Sequence, residues 1–304
     1  MSSSLVTRGG RALLALIVVA AGACGPSASP SSPPSGGAPI PVLGAENFYA
    51  DLLAQIGGSR VTASSILNDP SADPHEYEAS PAAAKLVADS KVVIVNGIGY
   101  DDFMDKLLGA STKPDRIVIN VQDILGVKDD VNVHVWYDPA TMPKVAEAVT
   151  AALAKIDPQN AAYFADGKAK YLAALKPFND KVATLKSRYA GAPVAFTENV
   201  AGYLTDAIGL KVLTPPAFME AIESGTDPAP ADVAEERDLL TGRKVKALLY
   251  NSQVTSPLTE QIRALAVQNN VPVVAVAETI PANFKTFQEW QLAQLDELEK
   301  ALAK

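Results

Sequence analysis

The sequence predicts an α/β protein built as two parallel-sheet lobes with a long helix between them. Three observations carry that prediction. From Ile40 onward, short apolar runs rich in Val and Ile alternate with segments whose apolar residues recur at helical spacing. From Met142 to Tyr189 the strand runs stop and only the helical pattern continues. From Val194 to the C-terminus the alternation returns. Alternating strand and helix patterns are the signature of a parallel sheet covered by helices.

The expected strands of the first half are Ile40–Gly44, Val61–Ile66, Lys91–Asn96 and Arg116–Val121. Phe48–Ile56, Pro81–Asp89 and Asp101–Leu108 carry the helical period, and Gly57-Gly58 closes the first of them. Met142–Ile156 and Gln159–Tyr189 follow, divided at Asp157-Pro158. In the second segment Tyr163, Phe164, Tyr171, Leu172, Leu175, Phe178, Val182, Leu185 and Tyr189 recur at helical spacing. Pro177 inside this pattern predicts a kink or a local break. In the second half Val194–Thr197, Lys211–Leu213, Lys246–Asn251 and Val271–Ala277 read as strands. Val200–Ile208, Ala231–Thr241, Pro257–Gln268 and Thr286–Ala303 read as helices. The expected organisation is thus a lobe over 40–156, a connecting helix over 157–190 and a second lobe over 191–304.

What precedes the first lobe is expected to target the chain rather than fold. Arg8 and Arg11 stand before the apolar run 12–21, which ends at Gly22-Ala23-Cys24. That order of basic start, short apolar centre and small residues is a secretory signal, here over 1–24, and the run is short for a membrane span. Ala21-Gly22-Ala23-Cys24 resembles a lipobox, with Ala21 where leucine is usual. Lipid on Cys24 would anchor the protein to the outer face of a membrane. The alternative is an ordinary signal peptide with an incidental cysteine. The Ser-, Pro- and Gly-rich stretch 25–39 lacks apolar residues to fold and reads as a flexible tether.

Composition excludes some functions. The formal net charge of −8 argues against nucleic acid, whose recognition needs a basic footprint, and is compatible with cationic ligands. A single cysteine excludes an internal disulfide framework. No Gly-rich loop ending in Gly-Lys-Ser/Thr is present, so any ATPase is a separate subunit, and no His-Glu-x-x-His motif is present.

The chain has only two histidines, His75 in Asp73-Pro-His-Glu-Tyr-Glu78 and His134 in Asn132-Val-His-Val-Trp-Tyr-Asp-Pro139. Both are expected to follow strands, in loops at the carboxyl ends of a parallel sheet, where such sheets bind ligands. Neither lies on a helix or strand face where packing would explain it. The second half has no histidine but places Glu198 after the strand Val194–Thr197 and Glu278 after the strand Val271–Ala277. Together His75, His134, Glu198 and Glu278 offer two imidazole nitrogens and carboxylate oxygens, and two carboxylates balance a divalent ion. A mixed nitrogen and oxygen set suits first-row metals. Asp69, Asp73, Glu76, Glu78, Asp129 and Asp130 lie near the histidine loops and read as solvated charges or as groups orienting the imidazoles. Asn251 and Gln253 end a strand and are placed to hydrogen-bond near the site. Trp136, Tyr77 and Tyr203 are expected to wall off the cleft.

Asp73-Pro-His-Glu-Tyr-Glu78 with Ser80-Pro81, His134-Val-Trp-Tyr-Asp-Pro139, and Asn96-Gly-Ile-Gly-Tyr-Asp101 together resemble the zinc/manganese-type, TroA-like solute-binding receptors of ABC importers. The resemblance covers nearly the whole chain from Ile40. It implies two α/β lobes joined by one long helix, with the metal bound in the cleft between them. His75 and His134 fall on the family's first-lobe ligands. Glu198, before Ala201-Gly-Tyr203, falls on the third, and Glu278 falls where most members carry aspartate. Val133 and Ala79 stand where proline is common, and the histidine-rich loop of many zinc receptors is lacking.

The implied function is extracytoplasmic capture of Zn²⁺ or Mn²⁺ as transported ligand, not as catalytic cofactor. Delivery would be to an ABC permease served by its own ATPase subunit, from a lipid-anchored monomer in the cell envelope. The rivals are an exported zinc hydrolase, which would need an open coordination position and a base, and an adhesin or organic-solute binder with incidental histidines. Ligand type leaves zinc against manganese open.

Overall fold

The computed structural model describes residues 37–69, 74, 77–128 and 130–304. His75, Cys24, the signal segment 1–24 and the tether up to residue 36 lie outside the described residues, as do Asp73, Glu76 and Asp129. The first lobe runs through β1 (Ile40–Glu46), α1 (Asn47–Gly57), β2 (Val61–Leu67), α2 (Pro81–Asp89), β3 (Val92–Val95), α3 (Phe103–Ala110), β4 (Ile117–Asn120) and α4 (Val121–Leu125). Three helices then follow without a strand: α5 (Thr141–Ile156), α6 (Ala161–Ala174) and α7 (Lys176–Tyr189). The second lobe comprises β5 (Pro193–Phe196), α8 (Gly202–Ile208), β6 (Lys211–Val212), α9 (Pro216–Glu223), α10 (Pro230–Thr241), β7 (Leu248–Asn251), α11 (Pro257–Gln268), β8 (Val273–Val276) and α12 (Phe287–Leu302).

Each lobe holds one four-stranded, all-parallel sheet, with orders β2-β1-β3-β4 and β6-β5-β7-β8. The order is the same in both halves. It places a topological switch point between β1 and β3 in one lobe and between β5 and β7 in the other. The central strands of both sheets are covered on two faces, as their period of two shows, while the edge strands β4 and β8 leave Val118 and Ala275 exposed. Val42, Val92 and Ile94 pack into the large central core, whereas Leu43, Val93 and Val95 pack outward under α2 and α3. In the second lobe Val194, Phe196 and Leu249 join the central core, while Ala195 and Leu248 face a separate cluster with Leu239, Leu240 and Ile262.

Local chemistry explains where helices begin. Ser80 Oγ accepts from Ala83 N at 3.2 Å with Pro81 in the first turn, and Ser256 makes a capping box with Thr259 ahead of Pro257. Two short helices, α4 and α9, were not expected from the periodicity. α4 takes over Val121, read as strand end, and stops at Gly126, whose φ of 66° is left-handed.

The expected connecting helix over 159–189 is divided into α6 and α7 at Leu175. Pro177 has no N–H to return to the preceding turn, so it sits in the first turn of a new helix, where that donor is not needed. Leu175 keeps helical dihedrals (φ −75°, ψ −15°), so the chain continues as helix on both sides. The break coincides with a change of partner: α6 packs against α1 and α5, and α7 packs against α8 and α12. Gly167 lets α6 approach α1 closely, because a Cβ there would lie 2.3 Å from the Ile56 carbonyl oxygen.

An aromatic column ties the lobes. Phe48 stacks on Trp136 with centroids 4.7 Å apart, and Phe287 and Trp290 of α12 complete the cluster. Polar ties run beside it. Asn47 Nδ2 donates to the Ile280 carbonyl at 3.0 Å while Ile280 N donates back to Asn47 Oδ1 at 2.8 Å. Tyr137 Oη donates to the Ala277 carbonyl at 2.7 Å. Among the described residues no helix is long and apolar enough to cross a membrane.

Candidate metal centre

The carboxyl ends of the two sheets face one another, and the polar residues that meet there come from both lobes. Glu198 lies just past β5, Asn251 is the last residue of β7, and Glu278 lies just past β8. The first lobe supplies Tyr100, from the loop after β3, and His134. The expectation that His134 follows a strand is corrected: β4 runs into α4, and His134 comes from the loop after that helix, at the start of a 3-10 turn over Val135–Tyr137. The intervening helix returns the chain to the cleft.

His134, Glu198 and Glu278 are each 0% exposed, and one ligand atom of each lies within 4.8 Å of the others. His134 Nε2 is 3.3 Å from Glu278 Oε2 and 3.9 Å from Glu198 Oε1. Asn251 Nδ2 donates to Glu198 Oε2 at 2.6 Å and to Glu278 Oε1 at 2.7 Å. Tyr100 Oη donates to Glu278 Oε2 at 2.9 Å. Gln253 Oε1 accepts from the backbone N–H of Glu278 at 2.6 Å and of Thr279 at 3.0 Å, fixing the turn that carries Glu278.

The network assigns the histidine tautomer. Asn132 Nδ2 donates to the Asn199 carbonyl at 2.7 Å, which turns Asn132 Oδ1 toward His134. That oxygen accepts from His134 N at 3.0 Å and faces Nδ1 at 2.8 Å, so Nδ1 carries a proton and Nε2 is the atom presented to the carboxylates. Asn132 belongs to the first lobe and Asn199 to the second, so this bond also spans the cleft, and Tyr203 Oη adds another to the Asn132 carbonyl at 2.9 Å. Gly202 permits the approach: a Cβ there would lie 2.3 Å from Asn199 Oδ1 and 3.0 Å from Asn132 Nδ2.

The three groups are electrostatically coupled. Burial works against charge on His134, yet the hydrogen bond to Glu278 and the fields of Glu278 and Glu198 outweigh it and raise its pKa above 6.5. When ionised, two buried carboxylates need a compensating positive charge. An imidazolium would supply one such charge, and a divalent cation two. Beside the site, Asp101 accepts from Asn96 N at 2.7 Å and from Gly97 N at 2.8 Å, and burial still pushes its carboxyl up to about 6. It braces the segment Gly97-Ile98-Gly99, all at positive φ, which presents Tyr100. Ile98 at φ 60° is a β-branched residue in the left-handed region, a local strain held by its neighbours.

Of the residues expected at the site, the structure thus brings His134, Glu198 and Glu278 together. Asn251 and Gln253 hydrogen-bond there as expected. Trp136 packs on the imidazole with centroids 5.2 Å apart, and Tyr203 lines the cleft through Asn132. Tyr77 packs instead on Phe103, centroids 4.6 Å apart. Tyr100 and Asn132 were not singled out. An Asn just ahead of a loop histidine is the one local signal that points to Asn132, since Asn favours such short side-chain-to-backbone bonds.

The family model for the zinc-uptake complex component A, periplasmic (ZnuA), matches residues 42–301. The chain belongs to the ZnuA family. Members are binding components of uptake complexes, not enzymes, so an exported hydrolase is not the reading this chain supports. This ZnuA-family chain is 25% identical to the manganese-binding lipoprotein MntA of Halalkalibacterium halodurans over 201 residues, which cover 64% of this chain and 66% of that protein. Its fold is that of the periplasmic zinc binding protein TroA from Treponema pallidum, with a TM-score of 0.73 at 20% identity over 88% of this chain and 100% of that one. It is equally that of FpvC from Pseudomonas aeruginosa, crystallised with Ni²⁺, with a TM-score of 0.71 at 21% identity over 87% and 97% of the two chains.

Proposed function

We propose that the protein captures one divalent transition-metal ion, Zn²⁺ or Mn²⁺, outside the cytoplasm and delivers it to an ABC permease served by a separate ATPase subunit. The ligands in this reading are His75, His134, Glu198 and Glu278. The observation that carries it is the buried trio of His134, Glu198 and Glu278, with ligand atoms within 4.8 Å of one another and drawn from both lobes. Its relatives support the cargo: the similar MntA is named for manganese and TroA for zinc.

In this reading Cys24 is lipidated after removal of 1–24, the stretch 25–39 is the tether, and the chain works as a monomer. The lobes are 40–156 and 191–304, joined over 157–190.

Delivery follows from the split of the ligand set. Moving the second lobe away withdraws Glu198 and Glu278 from His134 Nε2 while each sheet stays intact, so affinity falls without unfolding. The bonds across the cleft from Asn47, Asn132 and Tyr137, with the aromatic column, oppose that motion. Elemental analysis of protein purified from its native host, followed by competition titration of the metal-free protein, tests the reading. About one tightly held Zn²⁺ or Mn²⁺ per chain is expected, and a chain that takes up neither ion sinks it.

A further inference from the structure

Asn251 makes an unusual pair of contacts. Its single Nδ2 group has two N–H donors, and it takes one oxygen of Glu198 at 2.6 Å and one of Glu278 at 2.7 Å. The oxygens that these carboxylates turn toward His134 Nε2 are the other two, Glu198 Oε1 and Glu278 Oε2. The amide cannot be reversed. Asn251 Oδ1 accepts from Gln253 N at 3.0 Å, its backbone N–H donates to Thr197 Oγ1 at 3.0 Å, and the residue is 0% exposed at the end of β7. A flipped amide would aim its oxygen at two carboxylates and leave the Gln253 N–H facing an NH₂ group.

We propose that Asn251 is a positioning residue that sets metal selectivity, by holding Glu198 and Glu278 each to one metal-facing oxygen. The proposal rests on the metal-receptor reading above and deepens it. With each carboxylate limited to one oxygen, His134, Glu198 and Glu278 offer one ligand atom each, a sparse set that suits the four-coordinate tetrahedral sites of zinc. Manganese favours six-coordinate, oxygen-rich surroundings. To supply them, a glutamate would turn its second oxygen to the ion. Doing so abandons a hydrogen bond from Asn251 and leaves a buried N–H without an acceptor. Asn251 therefore weighs against the larger coordination number, and a residue without the two donors does not.

Metal-free wild type, Asn251→Ala and Asn251→Ser are each titrated with Zn²⁺ and with Mn²⁺ in competition with a chelator, and loaded with Co²⁺ as a spectroscopic probe. Asn251→Ala is expected to lower the ratio of Zn²⁺ to Mn²⁺ affinity by about 10-fold or more, the scale on which partners of metal ligands act. Its Co²⁺ complex should lose the intense visible bands of four-coordinate cobalt. Asn251→Ser, which keeps one donor, should fall between, and it carries the test if the alanine variant does not fold. A ratio within about 2-fold of wild type, including a loss of both metals in equal proportion, or full-intensity Co²⁺ bands in the variants, overturns the proposal. Wild type that binds neither Zn²⁺ nor Mn²⁺ overturns instead the receptor reading on which it rests.

Discussion

Replacing Asn132 by alanine should weaken metal binding without touching a ligand. Asn132 makes three bonds that bear on His134: Nδ2 to the Asn199 carbonyl at 2.7 Å, and Oδ1 with His134 N at 3.0 Å and with Nδ1 at 2.8 Å. The alanine variant removes the acceptor that keeps the proton on Nδ1 and the ring aimed at Glu198 and Glu278. Loss of such a partner costs about 10- to 100-fold in metal affinity, or about 1.4–2.8 kcal/mol. It also breaks one bond between the lobes. Asn132→Asp separates the two effects. Its carboxylate still accepts from Nδ1 but faces the Asn199 carbonyl with an oxygen, so it should hold metal close to wild type while melting at lower temperature. Chelator competition at pH 7.5 measures the affinities and calorimetry the melting. An Asn132→Ala protein with a dissociation constant within about 2-fold of wild type would refute the orientation argument.

Metal affinity should fall on acidification. The His134 pKa is raised above 6.5 in the metal-free protein, so the proton that the ion must displace is held from above that pH downward, and titrations from pH 8 to 5.5 should show the loss beginning there. A flat profile contradicts imidazole ligation. The sign for folding is opposite. A raised folded pKa makes protonation stabilise the metal-free protein fully below about 6.5, an advantage lost as pH rises through the raised value. Metal-free protein should therefore gain more melting temperature from metal at pH 8 than at pH 6. Trp136 is 1% exposed and packs on Phe48, Tyr100 and His134, so Trp136→Ala should cost about 3–5 kcal/mol in denaturant unfolding; a cost below about 1 kcal/mol would mean the column does not hold the lobes. Pro177→Ala restores an N–H to the turn between α6 and α7, and should leave stability within about 1 kcal/mol of wild type, because the break lies where the helix already changes partners; a larger loss would show that the break itself is required.

Strand positions were legible because both sheets are parallel and their central strands are covered on two faces. Such strands read as short continuous apolar runs, as in Val92–Val95, bounded by helical periods. Glu198 and Glu278 were legible for the same reason: each is the first carboxylate past such a run, and a parallel sheet sends its carboxyl ends to the ligand side. His134 was found by its scarcity and its loop, although the helix α4 ahead of it was missed, being only five residues long. The division of the connecting helix was foreshadowed by Pro177, a residue whose missing donor acts locally.

The sequence by itself determined the two-lobe α/β plan, the break near Pro177 and the second-half carboxylates, because each depends on periodicity or on a backbone property within a few residues. Only the tertiary structure decided the orientation of the site. That Asn132 reads His134 on one side and Asn199 on the other, that Tyr100 reaches Glu278 across 178 positions, and that one Asn251 amide serves two glutamates are consequences of bringing both switch points face to face. Those pairings are set by the packing of one lobe on the other, through a buried aromatic column and bonds across the cleft, and no local pattern of residues encodes which donor will meet which acceptor there.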